Sequence, residues 1–488
     1  MELIITILIA ALLAASFLIN TIVKSLKPRN IELKDNTTIF QVLRQKKFIL
    51  FSTIGGTLTS LASVYLFFLL QTPAYGWLIL LSLIGLPLGA FVAKNLSERA
   101  LHRASYEDEF KKAITNGVMA SLHICCSKKG TAEICRKISI VNILAVIWLE
   151  TKILTSITLS VLLPEFASES IVIALLASTI IFFLTQYITR FGMNGVIITD
   201  VLYWPLIIIS VLLVILVTTN SFSQSAFELQ LQNVLPLEMS IPSMLAFSLN
   251  VLLINSIYQI SREDHWIRVS AFRSDNDIKD NPAVNSLVLV AMLAIPIWLC
   301  LIFAGFLYGV LLGEEELTLN SIVQFHESVV MFLPILILGM FASMMSTTDN
   351  QLFAVRRLVS LDIRNNRITD KNVNKFDSVI YSLGLAAIFF TTVYYANEFK
   401  LNDTNLVFTC LGLPAVLFPS LLVILYGRVG QKSHVYVPLI IYVAANITAY
   451  IYKDPVLILL VPPATLILGC LYALVFSSPS ESLSEGKV

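Results

Sequence analysis

Long hydrophobic runs alternate with short charged segments along almost the whole chain. A helix needs about 20 apolar residues to cross a bilayer. Thirteen nearly uncharged runs come close to or exceed that length: roughly 3–23, 48–70, 75–93, 138–163, 170–188, 191–219, 239–260, 282–312, 328–354, 378–396, 404–427, 433–452 and 455–478. The runs are continuously apolar and do not alternate, which excludes a β-barrel. The pattern predicts an all-α polytopic membrane protein with about 13 transmembrane helices.

Composition supports this prediction. Of the 488 residues, 57% are hydrophobic and only 13% are charged, and the mean hydropathy is +0.81. Soluble domains are about 45–50% apolar and about 25% charged, so the surplus apolar surface must face lipid. The net charge of +1 gives no field that would attract nucleic acid. We therefore expect a lipid bilayer as partner and no nucleic acid.

The distribution of Lys and Arg predicts the orientation of the chain. The segments 24–47, 94–137, 262–281 and 355–375 hold 7, 9, 4 and 6 of these residues, and they all fall on the same side of the predicted spans. Basic loops are cytoplasmic in membrane proteins, which predicts a plasma-membrane protein with the N-terminus outside and the C-terminus cytoplasmic. Within the second basic segment, the sequence of 97–123 predicts a cytoplasmic surface helix.

Four ionisable residues lie inside predicted spans, where charged groups are costly and usually functional. Glu150 and Lys152 are in the fourth span, Asp200 is in the sixth and Asp349 is in the ninth. Residues two apart on a helix project about 200° apart, so Glu150 and Lys152 cannot simply neutralise each other. At least one of them needs another partner, which is either a ligand in a cavity or a side chain on a neighbouring helix.

The ninth span carries five successive side chains with oxygen atoms: Ser346, Thr347, Thr348, Asp349 and Asn350. Hard cations such as sodium prefer several oxygen ligands, so the cluster is a candidate ion site. The alternative is that the hydroxyls bond back to carbonyls of their own helix. The residue pattern alone does not decide between these two interpretations.

The sequence around this cluster resembles a known family. Phe341-Ala-Ser-Met-Met-Ser-Thr-Thr-Asp-Asn-Gln-Leu, followed by Val359-Ser-Leu-Asp-Ile, is similar to the A-A-x-M-S-T-x-D-S-x-L…S-x-D-I motif of the sodium:solute symporters. Three further stretches agree in order with that family: Arg190-Phe-Gly-Met-Asn-Gly-Val-Ile-Ile-Thr-Asp, Trp266-Ile-Arg-Val-Ser-Ala and Gly412-Leu-Pro414. Thirteen spans with the N-terminus outside is the usual topology of the family.

The resemblance implies a leucine-transporter-like fold of two inverted five-helix repeats, here 48–219 and 239–427. An extra N-terminal helix, 1–24, would precede the repeats, and two C-terminal helices, 433–478, would follow them. Ligands in such folds bind near the bilayer midplane, beside interrupted helices.

The resemblance also implies functional residues. The principal sodium would be bound by the side chains of Ser346 and Thr347 and by the carbonyls of Ser343, Leu61 and Val64. A second ion site or ion path would use Asp200, Asp349 and Asn350. We further expect the solute cavity to be lined by Ser63, Glu150, Lys152, Asn255, Tyr258 and Gln259. For the last three, as for Asn250, contacts between helices are the equally weighted alternative.

These observations together predict a non-enzymatic symporter that couples sodium entry to import of a small polar organic solute by alternating access. Three departures from the family pattern leave alternatives open: Tyr203 and Ile267 replace Gln residues, and Lys152 lies where many relatives have a neutral Gln. One alternative is a carrier without sodium, or coupled to protons, in which Lys152 replaces the ion. The other is a solute sensor; the chain ends about ten residues after the last span, which counts against sensing within one chain, so such a sensor would act through a partner protein.

Overall fold

A computed structural model describes residues 65, 68–127, 130–166, 168–220, 240–271, 281–312, 322, 332–369, 375–399 and 403–477. Within these residues, eleven helices are long and apolar enough to cross a membrane. They coincide with the third to thirteenth predicted spans, which confirms the all-α, multi-pass architecture. The first two predicted spans, and with them Leu61, Ser63 and Val64, lie outside the described residues, so the count of thirteen stays a prediction.

The helices are numbered here in chain order. They are α1 Thr72–Tyr75, α2 Ser82–Ala104, α3 Asp108–Asn116, α4 Met119–Cys126, α5 Thr131–Leu162, α6 Ser170–Asn220, α7 Ile241–Tyr258, α8 Glu263–Ala271, α9 Pro282–Leu312, α10 Phe332–Ser360, α11 Lys375–Glu398, α12 Asp403–Gly412, α13 Pro414–Leu425, α14 Ser433–Tyr452 and α15 Pro455–Val475. A 3-10 turn, Gly76–Leu81, joins α1 to α2. A two-stranded antiparallel hairpin, β1 Leu361–Asp362 and β2 Arg367–Ile368, follows α10.

Two interruptions shape the membrane helices, and both occur where the sequence has Gly or Pro. The helix α6 contains both the fifth and the sixth predicted span, and it breaks at Gly192, whose φ of 58° lies in the left-handed region that favours glycine. The eleventh span is divided into α12 and α13 at Gly412 and Pro414. A broken helix inside a membrane protein exposes backbone groups that can bind ligands.

The most deeply buried membrane helix among those described is α10, with 89% of its apolar window inside the protein. It packs mainly against α6 and α5. Gly339 makes the approach to α6 possible, because a Cβ atom there would overlap the side chain of Ser210. The Ser210 hydroxyl in turn bonds the hydroxyl of Tyr65 at 2.8 Å. This packing places the polar residues of α10 inside the helix bundle.

The polar segment between the third and fourth spans differs from the prediction of one surface helix over 97–123. Residues 97–104 continue α2, and the remainder is divided between α3 and α4 by Gly117, whose φ is 64°. Helix α3 also buries Phe110 against the rest of the protein. The segment therefore forms a folded layer, which the Nδ2 of Asn116 links to the carbonyl of Asn366 in the hairpin at 2.9 Å.

Candidate functional site

The centre of the site is a carboxylate on α6 that faces the polar residues of α10. Asp200 is fully buried, and its Oδ1 accepts a hydrogen bond of 2.7 Å from the hydroxyl of Ser346. The amide nitrogen of Asn350 lies 3.3 Å from the same oxygen. Ser346 and Asn350 are four residues apart, so they share one face of α10. The structure thus brings together a predicted sodium ligand, Ser346, and the predicted ion-path residue Asp200.

A second carboxylate, that of Asp349, is buried next to the first. Its Oδ2 accepts a hydrogen bond of 2.5 Å from the hydroxyl of Thr199, the residue that precedes Asp200. Its Oδ1 lies 3.4 Å from the amide nitrogen of Asn350. Each of the helices α6 and α10 therefore has a hydroxyl that donates to a carboxylate of the other helix. The predicted second-site residues Asp200, Asp349 and Asn350 form one cluster.

The carboxylates of Asp200 and Asp349 are both buried and both contact the amide of Asn350. This arrangement favours the binding of a positive charge. Desolvation and mutual repulsion both disfavour two ionised carboxylates in such a place. A monovalent cation among the oxygens of Asp200, Asp349 and Ser346 would relieve both effects. These oxygens are of the type that sodium prefers, so the donor set fits a sodium ion.

Two of the remaining predicted sodium ligands, Ser343 and Thr347, lie on the same helix. The hydroxyl of Thr347 donates to the carbonyl of Ser343 at 3.3 Å, which is the back-bonding expected of hydroxyl residues in helices. Ser343, Ser346 and Thr347 are spaced by three and four residues and are all buried. They line one face of α10, while their predicted partners Leu61 and Val64 lie outside the described residues. The principal sodium site therefore stays a prediction.

An arginine on α8 links this cluster to a second set of charges. The Nη2 of Arg268 donates to the Oδ1 of Asn350 at 2.7 Å, and its Nη1 donates to Asp264 at 2.9 Å. Asp264 also accepts two bonds from Arg262, of 2.8 and 2.9 Å. All three charged residues are buried. Asn350 is thus held between the carboxylates of the membrane centre and the cationic end of this network.

The charged residues of the fourth span are both inside the protein. Glu150 and Lys152 on α5 have relative exposures of 1% and 3%. Glu150 interacts electrostatically with Tyr258 and Arg262. The surroundings of Glu150 therefore include the end of α7. Two buried charges of opposite sign on one helix could hold a zwitterionic or anionic ligand, and their role in the solute cavity stays a prediction.

The three predicted cavity residues of the seventh span have different surroundings. Asn255 lies at the crossing with α2, where a Cβ atom at Gly85 would stand 3.0 Å from the Cβ of Asn255. Tyr258 lines a small cavity and lies below the guanidinium of Arg262. Gln259 is half-buried just after the end of α7. Asn250 donates to the carbonyl of Leu459 at 2.7 Å, which makes it a contact between helices.

Two residues of the site were not singled out from the sequence. Thr199 precedes Asp200 in the Thr-Asp pair, so the pair itself was a signal that the hydroxyl belongs to the site. Arg268 was noted only as part of a motif, and nothing in its local sequence indicates Asn350 as a partner, because 82 residues separate the two. Their contact depends on how α8 packs against α10.

Comparisons with known proteins agree with this architecture. No protein-family model matches the chain, and no curated protein sequence matches it. Among solved structures, the chain is similar to a Na+-coupled sialic acid symporter in a substrate-bound, outward-open state, with a TM-score of 0.64 and 14% identity over 98% of this chain and 99% of that one.

Two structures of Mhp1, a nucleobase-cation-symport-1 family transporter, also match. The closed, bromovinylhydantoin-bound form has 15% identity over 88% of this chain and 91% of that one, and the inward-facing form has 14% identity over 90% and 93%. The TM-score is 0.45 for each of them. The match to the sialic acid symporter covers nearly both chains, and it confirms that this chain shares the fold of that protein.

Proposed function

We propose that the protein is a sodium-coupled secondary active symporter that imports a small polar organic solute by alternating access. The observation that carries this proposal is the buried cluster of Asp200, Ser346, Asp349 and Asn350 between α6 and α10. It offers oxygen ligands and negative charge inside a fold shared with a sodium-coupled symporter. The function requires no covalent chemistry, which supports a non-enzymatic role.

The energetics of sodium entry are sufficient for solute accumulation. One positive charge that crosses a potential of about 100 mV releases about 2.3 kcal/mol. Since about 1.4 kcal/mol corresponds to a factor of ten, each sodium ion supports roughly fifty-fold accumulation before its own concentration gradient is counted. A buried anionic centre such as Asp200 is the feature that would let the protein use this gradient.

For the solute, the charged pair on α5 favours a molecule that carries a carboxylate. Lys152 is buried in the middle of the span, too deep for its ammonium group to reach either surface easily. The matched symporter transports sialic acid, which is itself an acid. We therefore assign Lys152 to the recognition of an anionic or zwitterionic solute, with Glu150 completing the binding of a zwitterion.

The topology of the proposed transporter follows the sequence prediction. The two inverted repeats would be 48–219 and 239–427, in a plasma membrane with the C-terminus in the cytoplasm. The principal sodium would lie between α10 and the second predicted span, at Ser343, Ser346, Thr347, Leu61 and Val64. Ser63, Asn255, Tyr258 and Gln259 would line the solute path.

The test is uptake of a panel of labelled solutes into proteoliposomes that contain the purified protein. Each solute is assayed with an inward sodium gradient, with equal sodium on both sides, and with a proton gradient alone. Uptake above equilibrium that requires the sodium gradient is the expected result. Accumulation driven by protons alone would favour the carrier in which Lys152 replaces sodium, and solute binding without any transport would favour a sensor.

A further inference from the structure

A small polar cavity lies outside the site described above. It is enclosed by the first half of α5, by the segment between α7 and α8, and by α10, and it has room for about one water molecule. A solute molecule does not fit in that space. The residues that line it are Ser139, Asn142, Ile143, Val146, Tyr258, Ser261, Arg262, Glu263 and Gln351.

Four of these residues bring a buried oxygen atom to the cavity: Ser139 Oγ, Asn142 Oδ1, Ser261 Oγ and Glu263 Oε1. The Ser139 hydroxyl interacts with the Glu263 carboxylate, whereas the Asn142 and Ser261 oxygens have no hydrogen-bond partner in the described part of the chain. The residues themselves are between 1% and 7% exposed. Buried polar atoms in folded proteins nearly always have a partner, and each one without a partner costs about 1–3 kcal/mol. Two such atoms beside a buried carboxylate and its serine indicate a ligand in the cavity that all four oxygens can bond.

The chemistry of the four atoms points to the type of ligand. They are all oxygens: one from a carboxylate, one from a carboxamide and two from hydroxyl groups. Zinc and other transition metals prefer nitrogen and sulfur, and calcium usually takes six to eight oxygens. A single small monovalent cation matches both this donor set and the size of the cavity.

The charges around the cavity support a cation as well. The arginines of the neighbouring network are engaged elsewhere, because Arg262 and Arg268 both pair with Asp264. Within the described residues the Glu263 carboxylate forms no ion pair. Its Oε2 accepts a bond of 2.7 Å from the backbone N–H of Met119, and its Oε1 lines the cavity. A cation in the cavity would stabilise the ionised form of the buried Glu263 carboxylate far more than a water molecule would.

We propose that Ser139, Asn142, Ser261 and Glu263 form a binding site for one monovalent alkali cation, separate from the cluster at Asp200. The inference rests on the proposed function only for the choice of sodium among these cations. Gln351, which lines the cavity, follows Asn350 in α10. The proposed site is therefore next to the Asp200 cluster, on the side where Arg262 and Asp264 lie.

The two serines give a sharp test, because a cation site and an unsatisfied hydroxyl predict opposite results for their removal. In Ser261→Ala, loss of an unsatisfied hydroxyl should leave the protein equally stable or more stable, and in Ser139→Ala the loss of its contact with Glu263 should cost stability but not depend on the salt. Loss of a cation ligand should instead weaken ion binding at least tenfold. Thr465→Val on α15 is the matched control, since Thr465 also has a buried hydroxyl without a partner but is far from the cavity in sequence and lines no part of it.

The measurements are equilibrium binding of radioactive sodium to the purified protein and the rise in Tm when choline chloride is replaced by sodium or potassium chloride. We expect Ser261→Ala, Ser139→Ala and Glu263→Gln each to bind fewer sodium ions at a fixed concentration than Thr465→Val. Wild-type binding in both serine variants, with a Tm change like that of Thr465→Val, would overturn the proposal.

The same data separate this inference from the proposed function. If sodium binding in the wild type disappears completely in Asp200→Asn, the proposed function stands and the additional site is refuted. If only potassium raises the Tm, and Ser261→Ala removes that effect, the additional site stands and sodium coupling is refuted. No effect of any alkali cation on the wild-type protein would refute both.

Discussion

The sharpest perturbation of the proposed ion site is Asp200→Asn. The substitution removes the negative charge and keeps the shape of the side chain. The Asn oxygen can still accept the 2.7 Å bond that Ser346 donates to Asp200, so the contact between α6 and α10 should survive. Any large loss of function in this variant therefore reports on the charge and not on the packing.

The expected size of the effect follows from the burial of Asp200. Two unit charges about 4 Å apart interact by about 4 kcal/mol at the effective dielectric constant of about 20 that suits protein sites. The amide dipole of Asn recovers part of this energy. We expect a net loss of about 3 kcal/mol in sodium binding, which corresponds to a roughly hundredfold weaker affinity. Solute binding, which we assign to α5, should change much less.

The assay is equilibrium sodium binding to the purified protein, followed by sodium-driven uptake in proteoliposomes. Asp377→Asn is a matched control, because Asp377 is an exposed carboxylate at the start of α11. It should keep wild-type sodium affinity and transport rate. If folded Asp200→Asn kept the sodium affinity and transport rate of the wild type, Asp200 would have only a structural role and the assignment of the ion site would be wrong.

Three further predictions follow from the structure. Ser346→Ala and Thr347→Ala should each lower apparent sodium affinity several-fold with little change in expression, since Ala is the best helix former; sodium-dependent uptake checks this. Lys152→Gln should sharply weaken binding of an anionic or zwitterionic solute while sodium binding persists, and unchanged solute affinity and sodium dependence would leave only a structural ion pair. Gly339→Ala, which crowds α6, should lower the stability by about 1–3 kcal/mol, whereas Gly384→Ala, with open space around its Cβ inside α11, should leave the Tm of the detergent-solubilised protein equal or higher.

The fold could be predicted from the sequence to the extent that the bilayer dictates it. Every described membrane helix coincides with a predicted span, because crossing the hydrocarbon core requires a run of apolar residues. The breaks at Gly192 and Gly412 occur at residues that often interrupt helices. The surface layer over 97–123 was predicted wrongly as one helix, because water imposes no fixed length and Gly117 ends α3 in a left-handed conformation.

The candidate site could be predicted only in part. Charged and hydroxyl-bearing residues inside apolar spans stand out, and this made Asp200, Asp349 and Asn350 visible as candidates. The sequence could not show that Ser346 bonds Asp200, because that contact joins two helices 146 residues apart. The contact of Arg268 with Asn350 was hidden for the same reason.

The cavity at Glu263 illustrates a stronger limit on what a sequence can reveal. Ser139, Asn142, Ser261 and Glu263 all lie near the ends of predicted spans, where polar residues normally face water and need no explanation. What distinguishes them is that α5 and the start of α8 bury them together, and that the Asn142 and Ser261 oxygens have no partner among the described residues. Hydropathy detects a charge only where lipid surrounds it, whereas this charge is buried by protein. Sites of this kind become visible only when the partners of buried polar atoms are followed through the tertiary structure.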